Sequence, residues 1–146
     1  MMHGDVRQAI TAYRRAVQFA PNDARAHGDL GTALLAGHDV DGAMPHLMKA
    51  HQLAPERATF MSNLGYAHQL RGELEQAVHW YQRAIERDKR LNSAWINLAT
   101  ARAQQRRFDE ARRALDEAER IDPSDPRIPA NRQELEQMIA EEQGQR

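Results

Sequence analysis

Asp29, Asn63, Asn97 and Asn131 stand 34 residues apart along the chain. A carboxamide offers two N–H donors and a carbonyl acceptor, so a row of them at even spacing matches the donors and acceptors of an extended peptide backbone. That is chemistry for holding a chain, not for breaking a bond. Catalytic signatures are missing: there is no GxSxG elbow, no HExxH pair and no glycine-rich phosphate loop. Zero cysteines exclude thiolate metal sites, cysteine nucleophiles and disulfides. The seven histidines are scattered. His46 and His51 are five apart, off a common helix face, and His68 and His79 fall in different helical segments. We therefore expect no enzyme, no metal and no cofactor. Arg102, Arg106, Arg107, Arg112 and Arg113 form a basic run, but Asp109, Glu110, Asp116 and Glu117 interleave with it. This describes a solvated, ion-paired face, with Asp109–Arg113 and Arg113–Glu117 as its i, i+4 pairs.

Composition narrows the class. The chain has 146 residues, 41% apolar and 28% charged, which suits one soluble globular domain. Aromatics make up only 5%, so the core must come from Ala, Leu, Val, Ile and Met, and the abundance of Ala favours helices. A formal net charge of −1 argues against bulk affinity for nucleic acid or anionic lipid. No apolar run approaches the ~18 residues of a membrane span.

An internal period organises the chain. Ala9, Ala43, Ala77 and Ala111 are 34 apart, as are Ala16, Ala50, Ala84 and Ala118. The same step links Tyr13, Leu47, Tyr81 and Leu115. It also links Pro21, Pro55, Lys89 and Pro123, and the pairs Leu30-Gly31, Leu64-Gly65 and Leu98-Ala99. His27, Met61 and Trp95 share a further column. This pattern resembles the tetratricopeptide repeat family, from about Asp5 to about Ile121. The resemblance implies an all-α solenoid in which antiparallel helix pairs stack into a right-handed superhelix. Ala77, Tyr81 and Ala84, at i, i+4 and i+7, independently mark one helical face. Small residues let neighbouring helices approach, and the bulky one fills the gap.

The period predicts a single domain, 1–146. It comprises a half repeat at 5–21, full repeats at 24–57, 58–91 and 92–125, and a capping helix at 129–142. Helices are expected at 5–19, 24–36, 40–53, 58–70, 74–87, 92–104 and 108–121. Gly37 and Gly72 are expected to close two first helices, and the turns at 21–23, 55–57 and 123–125 to supply caps. Pro45 conflicts with an uninterrupted second helix, and a late start capped by Asp41 would put it in the first turn. Leu135, Met138 and Ile139 form the apolar stripe of the last helix, which covers the final unit's core face. His27 and Trp95 are read as packing residues. Trp80 is placed on the outer face, where a second partner could dock.

By the family's plan, first helices line a concave groove. Its columns place Arg25, Gly28, Asp29 and Thr32 there, then Thr59, Ser62, Asn63, Tyr66 and Gln69, then Ser93, Ile96, Asn97, Thr100 and Gln104, with Asn131 in the last helix. The Asp29/Asn63/Asn97/Asn131 row resembles the asparagine ladder in the repeats of O-linked N-acetylglucosamine transferases and implies backbone reading of a bound peptide. The family's carboxylate clamp for chaperone tails is not expected, because Arg25 is the only cation among these positions. The implied partner is therefore a protein or peptide, with no nucleic acid and no membrane insertion.

The first unit has only its second helix, since a partner helix would lie before Met1. Two readings of its uncovered flank (Ala9, Tyr13, Ala16, Val17) stand side by side. In the first, the chain is part of a longer repeat array or a short helix suffices; in the second, another copy covers that flank and makes a homo-oligomer. The expected compartment is the cytoplasm, or the periplasm if the natural chain begins further upstream with an export signal.

Overall fold

A computed structural model describes residues 2–144. They form eight helices: α1 Met2–Phe19, α2 Ala24–Ala36, α3 Val40–Leu53, α4 Ala58–Leu70, α5 Leu74–Arg87, α6 Asn92–Gln104, α7 Phe108–Ile121 and α8 Arg127–Gly144. No strand occurs among the described residues. The chain is an all-α solenoid built from the pairs α2/α3, α4/α5 and α6/α7, with α1 before them and α8 after.

The small and bulky columns make each pair. Ala43, Ala77 and Ala111 are buried, as are Ala50, Ala84 and Ala118, so each second helix presents a flat seam. Leu47, Tyr81 and Leu115, at most 1% exposed, insert from that seam onto the first helix. The receiving position must be small. A Cβ on Gly31 would lie 2.5 Å from Leu47 Cδ2, and one on Gly65 would lie 2.6 Å from the Tyr81 ring. The third unit has Ala99, buried in the same cluster as Leu115. The Tyr81 hydroxyl donates to Gln69 Oε1 at 2.7 Å, and Gln69 Nε2 donates to Gln104 Oε1 at 3.0 Å. Burial, with Tyr66 nearby, pushes the Tyr81 phenol far above its ordinary range and keeps that proton in place.

Each first helix ends in the same 6→1 turn. Asp39, Glu73 and Arg107 donate their backbone N–H groups to Leu34, His68 and Arg102. The left-handed residue inside that turn is His38 (φ 65°), Gly72 (φ 78°) or Arg106 (φ 65°). Gly72 closes α4 as expected, but Gly37 lies one residue early, at φ −84°. Its small size instead admits α1, since a Cβ there would sit 3.3 Å from Val6 and Ile10.

Four other expectations need correction. The terminal helices are longer than predicted. α8 begins at Arg127, because Asp125 accepts from the Arg127 N–H and Pro129 fits within the first turn. α3 starts at Val40 with Asp39 as cap, its carboxylate accepting from Gly42 N–H. Pro45 therefore lies inside the helix, and its exposure leaves the freed Asp41 carbonyl to water. Arg57 gives no side-chain cap, and its guanidinium lies 5.0 Å from the centre of the Phe60 ring. On α7 the ion pairs are Asp109–Arg112 and Glu117–Arg120, at i, i+3. Arg112 is drawn toward Glu136 of α8, at 3.0 Å, and Arg113 makes no ion pair among the described residues.

Curvature follows from which helices touch. α2 packs on α4, α4 on α6, and α6 on α8 at close backbone distance, whereas successive second helices stand further apart and are met by long side chains, as where His51 of α3 reaches the Trp80 ring of α5. The first helices therefore line the inner, concave side. Asp125 fixes the far end: it is 6% exposed, accepts from Asn92 Nδ2 at 2.9 Å, and holds the Arg127 guanidinium at 2.8 Å. The hydrogen bonds from Arg127 outweigh desolvation and hold its carboxyl well below the usual carboxylate range.

Three stability outcomes follow. Gly65→Ala gains about 1 kcal/mol of helix propensity but overpacks the immobile Tyr81 ring, so urea denaturation should show a net loss of about 1–2 kcal/mol. His38→Gly and Arg106→Gly relieve left-handed backbone and should each raise stability by about 1 kcal/mol. Asp125→Ala should cost about 2 kcal/mol at neutral pH. Because the folded carboxyl titrates below the unfolded one, that difference is complete above about pH 5 and shrinks as pH falls below about 4. A pH-independent difference would show that the carboxylate charge plays no part.

Candidate functional site

The concave wall is assembled from residues that recur on one stripe of α2, α4, α6 and α8. Spacings of three to four residues within a helix keep them on one face, and the 34-residue step repeats them in the next unit. Asn63 and Asn97 occupy matching positions on α4 and α6 and are half-buried. Neither side chain makes a hydrogen bond with any described residue. Their amide donors and acceptors are thus unspent within the described array.

The other candidates divide into presented and engaged groups. Asp29 is half-buried and Thr32 exposed on α2, and neither side chain has a hydrogen-bond partner among the described residues. Tyr66 is 42% exposed. Gln69 is spent at both ends on Tyr81 and Gln104, so it bridges units rather than facing a ligand. Gln104 is exposed, with its carbonyl oxygen taken by Gln69. Thr100 donates to the Ile96 carbonyl at 3.2 Å, and Asn131 Nδ2 donates to the Arg127 carbonyl at 2.9 Å. Asn131 and Thr100 share a cavity of ≈ 20 Å³ with Leu135 and Met138, room for about one water molecule.

Ser62 is displaced from the expected surface. It is 4% exposed, and its column neighbours Gly28 and Ile96 are buried too. That column lies inside the packed array, where Gly28 makes room for the Phe60 ring. Leu70, 46% exposed and one turn beyond Tyr66, is a presented residue that sequence reasoning missed. Its signal was available: it precedes Gln104 by 34 residues.

At the first helix, Ala9, Tyr13 and Val17 are half-buried and Ala16 is exposed, although their repeat counterparts in the alanine and bulky columns are sealed. Ala9 and Tyr13 line an open cleft of ≈ 360 Å³ between α1 and α2, whose rim includes Asp5, Asp29 and Thr32.

His27, His46 and His51 serve packing. His27 is 7% exposed, and its Nε2 lies 2.7 Å from the Pro21 carbonyl, which can only accept, so Nε2 carries the proton. Its Nδ1 lies 3.1 Å from His46 Nδ1. Desolvation, then His27 and Arg14, lower the His46 pKa. His51 meets the Trp80 ring edge-on at 5.1 Å, while the Arg83 guanidinium covers that ring at 4.5 Å. Trp95 is half-buried and donates to the Lys89 carbonyl. Among the described residues, no group of three or more His, Asp or Glu is placed to hold a metal ion. No described helix is long and apolar enough to cross a membrane.

Comparison with known proteins agrees with this architecture. The chain is 28% identical to BBSome complex member BBS4 of Mus musculus over 129 residues, covering 88% of this chain and 25% of that protein. It thus spans about a quarter of the relative's length. Among solved structures, YrrB, described as a tetratricopeptide repeat protein with an unusual peptide-binding site, superposes with a TM-score of 0.77 at 20% identity. That match covers 89% of this chain and 67% of YrrB. The first repeat domain of Spaghetti (RPAP3), bound to the HSP90 peptide SRMEEVD, gives a TM-score of 0.74 at 15% identity, covering 81% and 94%. The family model described as "Tetratricopeptide repeat" matches three overlapping windows, residues 2–58, 47–92 and 63–126. With its repeat columns, helix pairs and curvature in agreement, the chain belongs to the tetratricopeptide repeat family.

Proposed function

We propose that the chain is a non-enzymatic scaffold that holds an extended peptide segment of a partner protein in its concave groove. The observation that carries this reading is the pair of unspent amides on Asn63 and Asn97, presented beside Tyr66 and Leu70. Half-buried carboxamides without internal partners are costly unless water or a ligand satisfies them. A peptide backbone supplies both missing partners, and the exposed Tyr66 and Leu70 give its side chains apolar surface to cover. The peptide-binding site named for YrrB and the peptide bound by the Spaghetti domain lend support from the same fold. The acidic HSP90 tail is a poor model for the ligand here, because the Gly28/Ser62/Ile96 column is buried and carries no cation. An extended peptide gives up conformational freedom on binding, so an affinity of about micromolar is expected.

Replacing Asn63 and Asn97 together with Ala should weaken a groove-bound peptide by about tenfold or more in titration calorimetry. The melting temperature should stay within about 2 °C of the parent, since no internal hydrogen bond is lost. An unchanged dissociation constant would remove the amide pair from the mechanism.

A second reading is favoured by the later part of α1. Ala16 is exposed where Ala50, Ala84 and Ala118 are all fully buried, and Phe19 is 92% exposed. A second copy covering this flank would make an assembly element of the chain. Sedimentation equilibrium over a wide concentration range tests it, and a constant monomer mass rules it out.

A further inference from the structure

We propose that the furrow floored by α6 and walled by α7, on the side toward α5, is a docking site for an aromatic side chain of a partner protein. The guest is a tryptophan or phenylalanine that stands next to an acidic residue in the partner's chain. This site is separate from the concave groove and does not rest on the groove reading.

The array itself shows what fills such a furrow. His46, Trp80 and Ala114 stand 34 residues apart on the three second helices, and His27, Met61 and Trp95 are the matching floor positions on the first helices. In the first unit the His46 ring stacks on His27, with centroids 5.3 Å apart and planes at 25°. In the second, Trp80 packs on the cluster that contains Met61 and meets His51 of α3 edge-on at 5.1 Å. A ring from the second helix thus closes each of these furrows. The third unit has Ala114 instead, and a furrow of ≈ 450 Å³ stays open over Trp95 and Leu98. Trp95 puts a larger ring on the floor than Met61 but does not close it: it is half-buried, with its indole N–H turned to the Lys89 carbonyl at 2.9 Å. α5, α6, α7 and α8 are all packed around this stretch, so no neighbouring helix is wanting there. An apolar floor with a half-covered indole suits a second ring, which gains offset or edge contacts as well as burial.

The rim selects the guest's neighbour. Its carboxylates are already engaged: Glu110 with Arg102 at 3.1 Å, Glu117 with Arg120 at 2.8 Å, and Asp116 with Arg132 of α8 at 2.8 Å. Arg113 alone on the rim is exposed and makes no ion pair with any described residue. In the second unit the guanidinium of Arg83 covers the Trp80 ring at 4.5 Å from its centre. The position matching Arg83 is Glu117, so in the third unit the uncommitted cation is Arg113, directly before Ala114. A guanidinium there can lie over a guest ring as Arg83 lies over Trp80, and it can pair with a carboxylate beside that ring. An aliphatic guest would fill the space but leave the cation unused.

A random dodecapeptide library, panned against the parent protein and against Ala114→Trp, tests this. Ala114→Trp supplies the ring that Trp80 supplies one unit earlier. Ala114→Leu fills the furrow less and is carried in parallel, and circular dichroism verifies the fold of each. Sequences recovered by the parent should be enriched in Trp or Phe beside Asp or Glu, and the filled variants should recover binders without that enrichment. A recovered peptide should lose about tenfold in affinity when its aromatic residue becomes Ala. On Arg113→Gln, a change at an exposed position that spares the floor, it should lose about threefold. In a nuclear magnetic resonance titration the amide signals of Trp95 and Ala114 should shift, and those of Asn63 and Asn97 should not. Recovery of no peptide, recovery without an aromatic preference, or an equal preference on the filled variants overturns the proposal. Shifts confined to Asn63 and Asn97 overturn it too, while supporting the groove reading. A mass that doubles with concentration in the parent but not in Ala114→Trp assigns the furrow to a second copy and likewise overturns it.

Discussion

The molecule depends on one steric relation, repeated three times: a bulky side chain from a second helix seated on a residue with little or no side chain in the first. Leu47 needs Gly31, Tyr81 needs Gly65, and Leu115 sits with Ala99. Close approach at that point sets the interhelical distance within each pair, and the buried alanines on either side keep the seam flat. A chain with few aromatics can build its core this way, because dense packing of small side chains makes up in contact what it lacks in bulk.

From that relation the concave surface follows. First helices that pack closely on their partners also reach one another, and the positions pointing away from both contacts become the inner wall. The side chains on that wall are divided between two tasks. Gln69, Thr100 and Asn131 close hydrogen bonds within the array. Asn63 and Asn97 do not, and Tyr66 and Leu70 bring apolar surface beside them. The central units thus leave unbonded amides and apolar surface on the wall, while the last helix is tied down by Asp125, Arg127 and the Arg132 pairs to Asp116 and Glu119.

The fold was legible in the sequence because a fixed period leaves little freedom. Six interior helices, from Ala24–Ala36 to Phe108–Ile121, lie at the expected residues. Departures arose where a local competitor had no counterpart in the other repeats. Asp39 outcompeted Asp41 as the α3 cap, since its carboxylate reaches Gly42 N–H. Arg112 found Glu136 on α8, a partner that no spacing within α7 reveals. The candidate site was less legible. Membership of a column fixes which helix face a residue lies on, but not whether neighbouring units bury it. Ser62 shares a column with Gly28, and the ring of Phe60 fills the space there. Gln69 was consumed by Tyr81, whose hydroxyl replaces the plain hydrocarbon of Leu47 and Leu115 at that position.

Inner helices that pack in series at close backbone distance, with outer helices set further apart, give the array a continuous spine on one edge and more widely spaced ribs on the other. Such an object flexes by fanning or gathering its ribs, a motion resisted by the packing of each second helix on the next first helix. Pulling the ends apart along the spine must part packed surfaces, so the two edges differ in stiffness. A rod-like guest lying across two or more vertebrae would act as a splint, and its presence would register as damped flexing of the whole stack rather than as movement of any single hairpin.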